Sequence, residues 1–454
     1  MDNFFNKERS AIINSIVKGE FDFNEVERYV KNAPKELFIS YLYKNSNSPL
    51  IQPRGGFPTF NKQMSLYTSF DSVNADVFPL TIDSNTRLND YEKAEKMLQA
   101  SEDANRDLLN GYPLISHGYK NTRKLVEKYN KPISLRHGTP DARLLAEVAL
   151  ASGIFEIEGG PISYVLPYSK NFPMDKSFLY WKYIDKLAAK YSVLNEPISR
   201  ESFGPMTATL VPPVMTIVVQ ILEMLLSLEE GVKSFSVSFS QTGSVLQDIV
   251  LANTLRKLSS KYLALFDFQG VTISLVYHHW MGAFPYDKNN SVSLVNSGTM
   301  IGSIINADKI ITKTKDEAFG IPTKESNAES VQQSKYLINM LKGLPIVKDK
   351  EEEYILESEV DEIMDKILNN QAATLWRKIY NSIKKGYIDI PFSPHVINNN
   401  RLVTVRDNNN NIRIYNGGNL PLSDKFLNFE RSKLNSISTD KIVNTILSDI
   451  GIML

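Results

Sequence analysis

Three arginines are placed where they could bind an anion together. Arg136 stands beside His137 at the end of the segment KPISLRHG, and a glycine and a proline turn the chain soon afterwards. Arg87 follows DVFPLTID, and Arg54 lies in PRGGFPTF. The planar guanidinium group pairs bidentately with a carboxylate and stays charged at any working pH. If the three converge, they would bind a dicarboxylate, or a carboxylate together with a phosphate.

An acidic residue and two tyrosines could complete this anion site. Glu158 ends the segment GIFEIEGG, and its carboxylate would face a cation such as a substrate ammonium group. Tyr164 and Tyr168, in GGPISYVLPYSK, can donate hydrogen bonds to the same anion. An acidic amino acid carries two carboxylates and one ammonium group, so it fits this set. A single arginine at such a place usually caps a helix or pairs with a local acid, but the joint pattern favours a binding site.

Two histidines and two glycine clusters suggest other chemistry, which their surroundings do not support. His278 and His279 end VTISLVYHHW, but adjacent strand residues point to opposite faces, and neither a His-x-His motif nor clustered aspartates accompany them. The glycines of RGG at 54–56 and EGG at 158–160 belong to no G-x-G-x-x-G or G-K-[ST] phosphate loop. We therefore expect no metal ligand on this chain, and we interpret His117 as structural.

The candidate residues can meet only if the segments that carry them form parallel strands. Strand patterns alternate with helical patterns in DVFPLTID, KPISLRHG, GIFEIEGG, SFSVSFSQ, VTISLVYHHW and DKIITKT and the segments between them. This alternation predicts parallel strands joined by crossover helices, and the number of units favours a closed (β/α)8 barrel over an open doubly wound sheet. Active sites of such barrels lie at the carboxyl ends of the strands, where charged residues recur in this sequence: Arg87, Arg136, Glu158, His278 and Lys313.

Three parts of the chain are expected. Residues 1–50 form an N-terminal helical segment, residues 51–345 the α/β barrel, and residues 346–454 a smaller α+β extension with two asparagine tracts. The most apolar run, residues 210–228, is long enough to raise the question of a membrane span. Two prolines at its start and Glu223 inside it favour a buried helix instead.

Composition excludes several classes of function. Lys+Arg and Asp+Glu both number 51, so the formal net charge is zero and neither nucleic acid nor an anionic membrane is an expected partner. The chain has no cysteine, which excludes disulfides, thiolate metal sites and cysteine nucleophiles. The N-terminus is polar and mixed in charge, without an apolar signal core, so the expected location is the cytoplasm.

Eight motifs occur in order along the chain: PRGGFPTF, PLTIDSNTR, LLNGYPLISHG, SLRHGTPDARLL, EGGPISYVLPYSKN, FGPMTATLVPP, HHWMGAFP and EAFGIPTKESNA. With these motifs the chain resembles the large, epsilon subunit of glutamate mutase, also called methylaspartate mutase. The resemblance runs from about residue 50 to 345 and continues more loosely near 389–415. It implies an adenosylcobalamin-dependent isomerase on a (β/α)8 barrel, which rearranges (S)-glutamate to (2S,3S)-3-methylaspartate.

The resemblance also implies roles for individual residues. Glu158 would be catalytic, contacting the substrate amino group and taking its proton. The substrate-binding residues would be Arg54, Arg87, Arg136, His137, Glu158, Tyr164 and Tyr168. The cofactor-binding residues would be Gly56, Asn110, Pro167, Phe284, Lys313, Glu317 and Ile321. Lys313 and Glu317 are four residues apart, which would suit the two sides of an adenosyl ribose.

A second subunit is expected, because part of the cobalamin site is missing from this chain. The D-x-H-x-x-G motif, whose histidine ligates cobalt in the family's small subunit, occurs around none of the five histidines. The resemblance therefore implies a flavodoxin-like, cobalamin-binding small subunit and a heterotetramer of two large and two small subunits. In the family mechanism a deoxyadenosyl radical removes a hydrogen atom from the substrate, and the protein grips and shields the reacting species.

Three departures from the family pattern leave the substrate open. Pro161 stands where a third glycine is expected, residues 235–244 are richer in hydroxyl groups, and His279 replaces an expected glutamine. A related cobalamin mutase acting on another acidic amino acid is therefore an alternative, as is a non-catalytic accessory subunit that binds a dicarboxylate. The complete set of three arginines argues against a monocarboxylate substrate, and the retained Lys313 and Glu317 argue against an accessory subunit.

Overall fold

The structure, a computed structural model, describes residues 2–14, 21–206, 210–343, 348–434 and 438–449. Eight strands form one sheet: β1 (Leu50–Gln52), β2 (Phe78–Thr81), β3 (Ile133–Arg136), β4 (Glu156–Glu158), β5 (Ser199–Glu201), β6 (Ser234–Ser240), β7 (Thr272–His278) and β8 (Lys309–Ile311). Two further strands form a hairpin: β9 (Val403–Arg406) and β10 (Ile412–Asn416).

Helices precede, separate and follow these strands. Before β1 come α1 (Asp2–Asn14), α2 (Phe23–Asn32) and α3 (Ile39–Asn45). Between the barrel strands come α4 (Phe60–Ser72), α5 (Ser84–Arg87), α6 (Tyr91–Asp103), α7 (Leu114–Tyr129), α8 (Arg143–Ala151), α9 (Met174–Ser192), α10 (Pro213–Glu229), α11 (Val245–Leu265) and α12 (Lys288–Ile304). After β8 come α13 (Lys324–Met340), α14 (Lys350–Leu368), α15 (Leu375–Lys385), α16 (Asp424–Ser432) and α17 (Thr439–Asp449).

The eight strands of the large sheet run parallel and follow one another around it in chain order, with β1 paired to β8. The seam between β1 and β2 is bridged by backbone hydrogen bonds. The N–H of Thr81 donates to the carbonyl oxygen of Gly55 (3.2 Å), and the N–H of Asp76 donates to that of Ile51 (3.1 Å). The sheet is thus almost closed into a barrel with helices outside, and the predicted (β/α)8 TIM-type fold is confirmed. We call the end formed by the carboxyl ends of the strands the mouth.

Two strands of the barrel have no strand pattern in the sequence. β1 and β5 are each three residues long, and β5 consists of Ser199, Arg200 and Glu201. Charged residues interrupt the apolar runs on which strand prediction depends. Arg200 faces the surrounding helices, where its Nε donates to Asp185 (2.7 Å), and Glu201 faces the barrel interior, where it accepts from Lys309 (2.8 Å). Contacts between distant segments therefore determine β5.

The most apolar run of the sequence forms a buried helix, as expected. α10 packs against β6 and α9, and against α11 and α14. Nearly every residue from Pro213 to Leu228 is buried, because the helix is covered by the barrel and by the C-terminal extension. Glu223 lies inside this helix, and its carboxylate accepts hydrogen bonds from a barrel loop. Among the described residues, no helix has the length and apolarity needed to cross a membrane.

The expected N-terminal helices and C-terminal α+β extension are both present. In the extension, α14 packs on α10 and α11, α16 on β10, and α17 on β9. The extension also contacts segments next to the mouth: the Ser393 hydroxyl donates to the Leu166 carbonyl oxygen (2.5 Å), and the Thr404 hydroxyl to that of Leu210 (2.6 Å). The predicted boundary between residues 345 and 346, like residues 207–209 of the motif FGPMTATLVPP, lies outside the described residues.

A buried ion pair attaches α1 to the barrel helices. Arg9 donates through Nε to Oε1 of Glu147 (2.7 Å) and through Nη2 to Oε2 (2.8 Å), and the Tyr183 hydroxyl donates to the same carboxylate. Both charged side chains are almost wholly buried. The geometry is bidentate, which is the strongest form of such a pair.

We expect Arg9→Met to lower the free energy of unfolding by about 3–5 kcal/mol, because Glu147 would stay buried without its ionic partner. Urea unfolding followed by circular dichroism measures the change. Arg28→Met, which removes an exposed arginine of α2, is the control and should change stability by less than about 0.5 kcal/mol. The double variant Arg9→Met/Glu147→Leu should recover most of the loss, and an equal loss in the single and double variants would contradict the pairing.

Candidate active site

The mouth of the barrel contains a buried ion-pair network. Arg136, at the end of β3, has Nη2 2.5 Å from Oε1 of Glu158 on β4, and its Nη1 donates to Oε1 of Glu201 on β5 at 3.0 Å. Glu158 and Glu201 are register partners on adjacent strands. Both carboxylates are buried, and the arginine side chain is nearly so. Three neighbouring strands thus bring one guanidinium group and two carboxylates into contact.

A lysine from another strand completes this network. Lys309, on β8, is fully buried and donates through Nζ to Oε2 of Glu156 (2.7 Å) and Oε2 of Glu201 (2.8 Å). Glu201 therefore has a cationic partner on each oxygen. Together with Arg136 the network holds two cations and three carboxylates, namely Glu156, Glu158 and Glu201. One negative charge is left without a matching cation, and an unmatched charge is costly where water is excluded.

This imbalance separates the pKa values of the two carboxyl groups that contact Arg136. Burial raises the pKa of Glu158 to about 7 against the opposing effect of Arg136, and the charge of Glu201 raises it further. Burial also acts to raise the pKa of Glu201, but Arg136 and Lys309 hold it well below its ordinary value. Glu158 can therefore hold or release a proton near neutral pH, whereas Glu201 stays ionised.

His278, at the end of β7, contacts the same network. Its Nε2 lies 3.3 Å from Oε1 of Glu201. Burial lowers the pKa of His278 to about 4 although Glu201 opposes this, so the imidazole is neutral. Glu158, Glu201 and His278 bring three potential metal-ligand atoms within 4.8 Å of one another. Since Arg136 and Lys309 already occupy both oxygens of Glu201, we interpret the trio as part of the ion-pair network rather than as a metal centre.

Both predicted tyrosines lie in the loop after β4, but they differ in depth. Tyr164 is buried, and its hydroxyl donates to Oε2 of Glu158 at 2.6 Å. Tyr168 is about half exposed, and its hydroxyl donates to the carbonyl oxygen of Pro205. Tyr164 therefore orients the carboxyl group of Glu158 directly, whereas Tyr168 lies at the surface of the same loop.

His137 supports Tyr164 from behind. It is buried, with its ring edge-on to that of Tyr164 (centroids 5.0 Å apart) and nearly parallel to that of Trp181 (5.9 Å). Burial lowers the pKa of His137 to about 3, so the ring is neutral. Arg136 and His137 are adjacent, and the first contacts the barrel interior while the second packs toward α9, as strand geometry requires.

A carboxylate from α10 holds the loop that carries Tyr164. Oε1 of Glu223 accepts hydrogen bonds from the N–H groups of Ile162 and Ser163, each at 2.7 Å, and Oε2 accepts one from the Ser163 hydroxyl (2.9 Å). A Cβ at residue 160 would meet this carboxylate at 2.1 Å, so Gly160 permits the close approach. The acidic residue that argued against a membrane span is thus a positioning residue for the site.

The other two predicted arginines also lie at the mouth. Arg87 ends the short helix α5, and its Nε donates to the carbonyl oxygen of Ile82 (2.7 Å); no hydrogen bond with a described residue occupies its two terminal nitrogens. Arg54 is partly exposed, with Nη1 3.5 Å from Oε2 of Glu317. Burial lowers the pKa of Arg87, Tyr164 opposes this, and Arg54 lowers it further. These groups are therefore close enough to act on one another electrostatically.

Four of the residues predicted to contact the cofactor lie together after β7 and β8. Nζ of Lys313 is 3.3 Å from Oε2 of Glu317 and 4.7 Å from the centre of the Phe284 ring. Burial lowers the pKa of Lys313 to about 8 although Glu317 opposes this. Ile321, shortly after Glu317, is half exposed. A cation, a carboxylate and an aromatic face thus adjoin at the rim of the mouth.

The other three predicted cofactor residues make structural contacts. A Cβ at Gly56 would meet the Thr81 carbonyl oxygen at 2.3 Å, so this glycine allows the chain after β1 to pack on β2. Oδ1 of Asn110 accepts from the N–H of Ser84 (2.9 Å) at the start of α5. Pro167 is buried in the loop after β4. All three follow the carboxyl ends of strands, on the side where the arginines lie.

Comparison with known proteins identifies the family. The family model described as "Methylaspartate mutase E chain (MutE)" matches residues 34–443. The chain belongs to this family. The glutamate mutase epsilon subunit of Desulfitobacterium hafniense (strain Y51) is 36% identical over 438 residues, which cover 95% of this chain and 90% of that protein. The epsilon subunit of Yersinia enterocolitica serotype O:8 is 39% identical over 376 residues, covering 82% and 78%, and that of Treponema denticola is 37% identical over 422 residues, covering 91% and 87%.

Membership of the methylaspartate mutase E chain family confirms the resemblance inferred from the eight motifs. Two of the departures from the family pattern have structural contacts. Nδ1 of His279 accepts from the N–H of Lys313 and its Nε2 lies near the Thr299 hydroxyl, both at 3.3 Å. The carbonyl oxygen of Pro161 accepts from the Ser177 hydroxyl at 2.9 Å. Neither departure interrupts the ion-pair network.

The hydroxyl-rich segment 235–244, which departs from the pattern of methylaspartate mutase E chains, lies mostly in β6. Its alternate residues are serines, and they bond to the serines of neighbouring strands. The hydroxyl of Ser234 lies 2.8 Å from that of Ser199, and the hydroxyl of Ser236 lies 2.7 Å from that of Ser274. These hydroxyl groups satisfy one another inside the barrel, so they leave the arginines and Glu158 undisturbed.

Three acidic or basic members of the network were not among the predicted site residues: Glu156, Glu201 and Lys309. A signal for Glu156 exists, because residues two apart in a strand share a face and Glu158 was already a candidate. Glu201 lies in a three-residue strand without an apolar pattern, and Lys309 lies in a three-residue strand with a mixed one. Their roles depend on which strands adjoin one another in the barrel, and the sequence pattern does not show this.

We expect Glu223→Gln to lower the free energy of unfolding by about 1–3 kcal/mol, because the new amide nitrogen would face the hydroxyl groups of Ser163 and Ser202, which donate to Oε2 of Glu223. Thermal unfolding followed by near-ultraviolet circular dichroism reports the stability and the packing of the aromatic side chains. Glu229→Gln, at the exposed end of the same helix, is the matched control. If both variants unfolded at the same temperature as the parent chain, the positioning role of Glu223 would be wrong.

Proposed function

We propose that the chain is the catalytic large subunit of an adenosylcobalamin-dependent glutamate mutase, which rearranges (S)-glutamate to (2S,3S)-3-methylaspartate. The observation that carries the proposal is the contact between Arg136 and Glu158 at a mouth that also contains Arg54 and Arg87. The guanidinium groups can bind two carboxylates, and the carboxyl group beside them can bind one ammonium ion. The name of the curated relatives, glutamate mutase epsilon subunit, supports this substrate.

Charge balance explains how a zwitterionic diacid would bind. In the substrate-free chain Arg136 contacts Glu158, which can keep a proton near neutral pH. A substrate carboxylate would replace Glu158 at Nη2 of Arg136, and Glu158 would turn to the substrate ammonium group. The second carboxylate would bind Arg87, through its two terminal nitrogens, and Arg54. Lys313 would remain as the cationic partner of Glu317 when Arg54 leaves it.

The charges then match. Five cationic groups would meet five anionic groups once Glu158 is ionised: Arg54, Arg87, Arg136, Lys309 and the substrate ammonium, against Glu156, Glu158, Glu201 and the two substrate carboxylates. The substrate ammonium group beside Glu158 would stabilise its ionised form, so the proton of Glu158 would pass to solvent. The carboxylate would then be the base that accepts a proton from the ammonium group. Tyr164, which donates to Oε2, would keep Oε1 directed at that group.

The residues after β8 fit an adenosyl group by their chemistry. The vicinal hydroxyls of a ribose need both a donor and an acceptor, and Lys313 and Glu317 provide these beside the face of Phe284. The chemistry that adenosylcobalamin supplies when bound is hydrogen-atom abstraction by a carbon radical. Because this chain has no D-x-H-x-x-G motif, the histidine ligand of cobalt would come from a flavodoxin-like small subunit, in a heterotetramer of two large and two small subunits.

The decisive experiment mixes the purified chain with a cobalamin-binding small subunit of the family, adenosylcobalamin and (S)-glutamate. Proton NMR should show 3-methylaspartate, and each omission should abolish it. Binding of glutamate without turnover would favour an accessory subunit instead, and turnover of a different acidic amino acid in preference to glutamate would favour a related mutase.

We expect Arg136→Lys to raise KM for glutamate by about tenfold to a hundredfold, because an ammonium group cannot replace bidentate pairing. Steady-state kinetics of the reconstituted enzyme measures the change. Arg106→Lys, at an exposed position, should leave KM unchanged. A KM for Arg136→Lys equal to that of the parent enzyme would remove Arg136 from the substrate site.

We expect kcat/KM to rise with pH through about 7, because burial sets the pKa of Glu158 near that value and its ionised form accepts the proton. At a pH below this raised pKa, Glu158 is protonated and cannot act as the base. Glu158→Gln should lower kcat by about two to four orders of magnitude and remove the inflection. Glu102→Gln, at an exposed position, is the control, and an inflection that persists in Glu158→Gln would assign it to another group.

A further inference from the structure

A cavity of about 340 Å³ lies outside the barrel, where α10, α11 and α14 meet the β9–β10 hairpin. Its volume is in the range of small-molecule sites. One part of its wall is apolar and is formed by Pro213, Val214, Leu246, Val250, Ile355 and Leu356. Acidic residues form another part of the wall. No residue of the proposed active site lines this cavity, so it needs a separate explanation.

The acidic part of the wall has more carboxylates than cations. Arg413, on β10, pairs with Glu352 (2.7 Å), Asp407 (2.9 Å) and Glu430 (3.3 Å). Lys433 lies 3.5 Å from Glu352. Three carboxylates therefore share two cationic side chains, before any further acid in the wall is considered. A further cation at this place would be attracted, and an anion would be repelled.

A further carboxyl group in the wall has no partner. Glu359, on α14, is only 3% exposed, and its Oε1 makes no hydrogen bond with any described residue. A buried carboxyl group without a partner is unfavourable and is uncommon in folded proteins. Burial raises the pKa of Glu359 well above its ordinary value, and the charge of Glu430 raises it further. Burial and Glu430 thus favour the protonated form of Glu359, although Arg413 opposes this.

We propose that this cavity binds a small primary alkylammonium ion, with the ammonium group on Glu359 and the alkyl chain against the apolar wall. The ammonium group would donate the hydrogen bonds that Glu359 lacks, and the alkyl chain would cover the aliphatic side chains. A metal ion fits less well, because in the described part of the chain only the barrel trio brings three ligand groups within 4.8 Å of one another. A neutral apolar molecule would leave Glu359 without a partner. The site is independent of the proposed mutase reaction.

Isothermal titration calorimetry of the full chain with n-butylammonium chloride tests the proposal. We expect saturable binding, and none for n-butanol or for potassium chloride at the same ionic strength. Glu359→Gln keeps the shape and removes the charge, so it should weaken binding by about tenfold or more. Glu357→Gln, on the same helix but paired with Lys257 at the surface, is the matched control and should bind like the parent chain.

Proton release gives a second readout. Because burial favours the protonated form of Glu359 in the empty cavity, binding of a cation should release a proton, and the apparent heat should differ between phosphate and HEPES buffers. Affinity should rise with pH for the same reason. The charged groups that face Glu359 are Glu352, Glu362, Arg413 and Glu430. Burial also raises the pKa of Glu430, so this residue can release part of the proton. Measuring proton release in Glu430→Gln would separate the contribution of Glu430 from that of Glu359.

Several outcomes would overturn the proposal. Equal binding of n-butanol and n-butylammonium would show that the cavity is merely apolar. Unchanged affinity in Glu359→Gln would refute the role of Glu359. No binding of n-butylammonium at all would refute the site. If Glu359→Gln did not fold, Leu246→Trp, which fills the cavity from its half-exposed rim, should abolish binding in a folded chain. Retained binding in that variant would also refute the site.

Discussion

The closed interior of the barrel holds three carboxylates and two cationic side chains, and the rest of the site depends on this unequal balance. Arg136 and Lys309 together keep Glu201 ionised, so Glu158 is the carboxyl group of the pair that can hold or release a proton near neutral pH. The different pKa values of Glu158 and Glu201 therefore rest on one electrostatic constraint, which acts strongly because both carboxyl groups are buried.

Buried polar contacts from outside the barrel hold the loops that surround this network. Glu223 reaches from α10 to the loop that carries Tyr164, and Tyr164 in turn donates to Glu158. The C-terminal extension acts in a similar way, because Ser393 bonds to the same loop at Leu166. The extension thus helps to hold the loop after β4 in place. A loop fixed by hydrogen bonds to its backbone can keep a carboxyl group at a defined orientation.

Local patterns predicted much of the fold and part of the site. The alternation of apolar strands and amphipathic helices was sufficient for the barrel, and proline and Glu223 were sufficient to distinguish α10 from a membrane span. Arg136 and Glu158 were found because each ends a recognisable strand, and the carboxyl ends of barrel strands lie on one side. His137 was expected beside the site and lies behind Tyr164, where it packs against Trp181 instead of facing the ion-pair network.

The sequence by itself determined the class of fold, the apolar helix and the residue types that could bind a diacid, since periodicity and composition are properties of neighbouring residues. Only the tertiary structure decided that Lys309 meets Glu156, 153 residues away, and that Glu201 stands between two cations. A strand's period shows which side chains share a face, but not which strands adjoin it. The raised pKa of Glu158 follows from its burial and from the neighbouring charge of Glu201, and both arise only when the barrel closes.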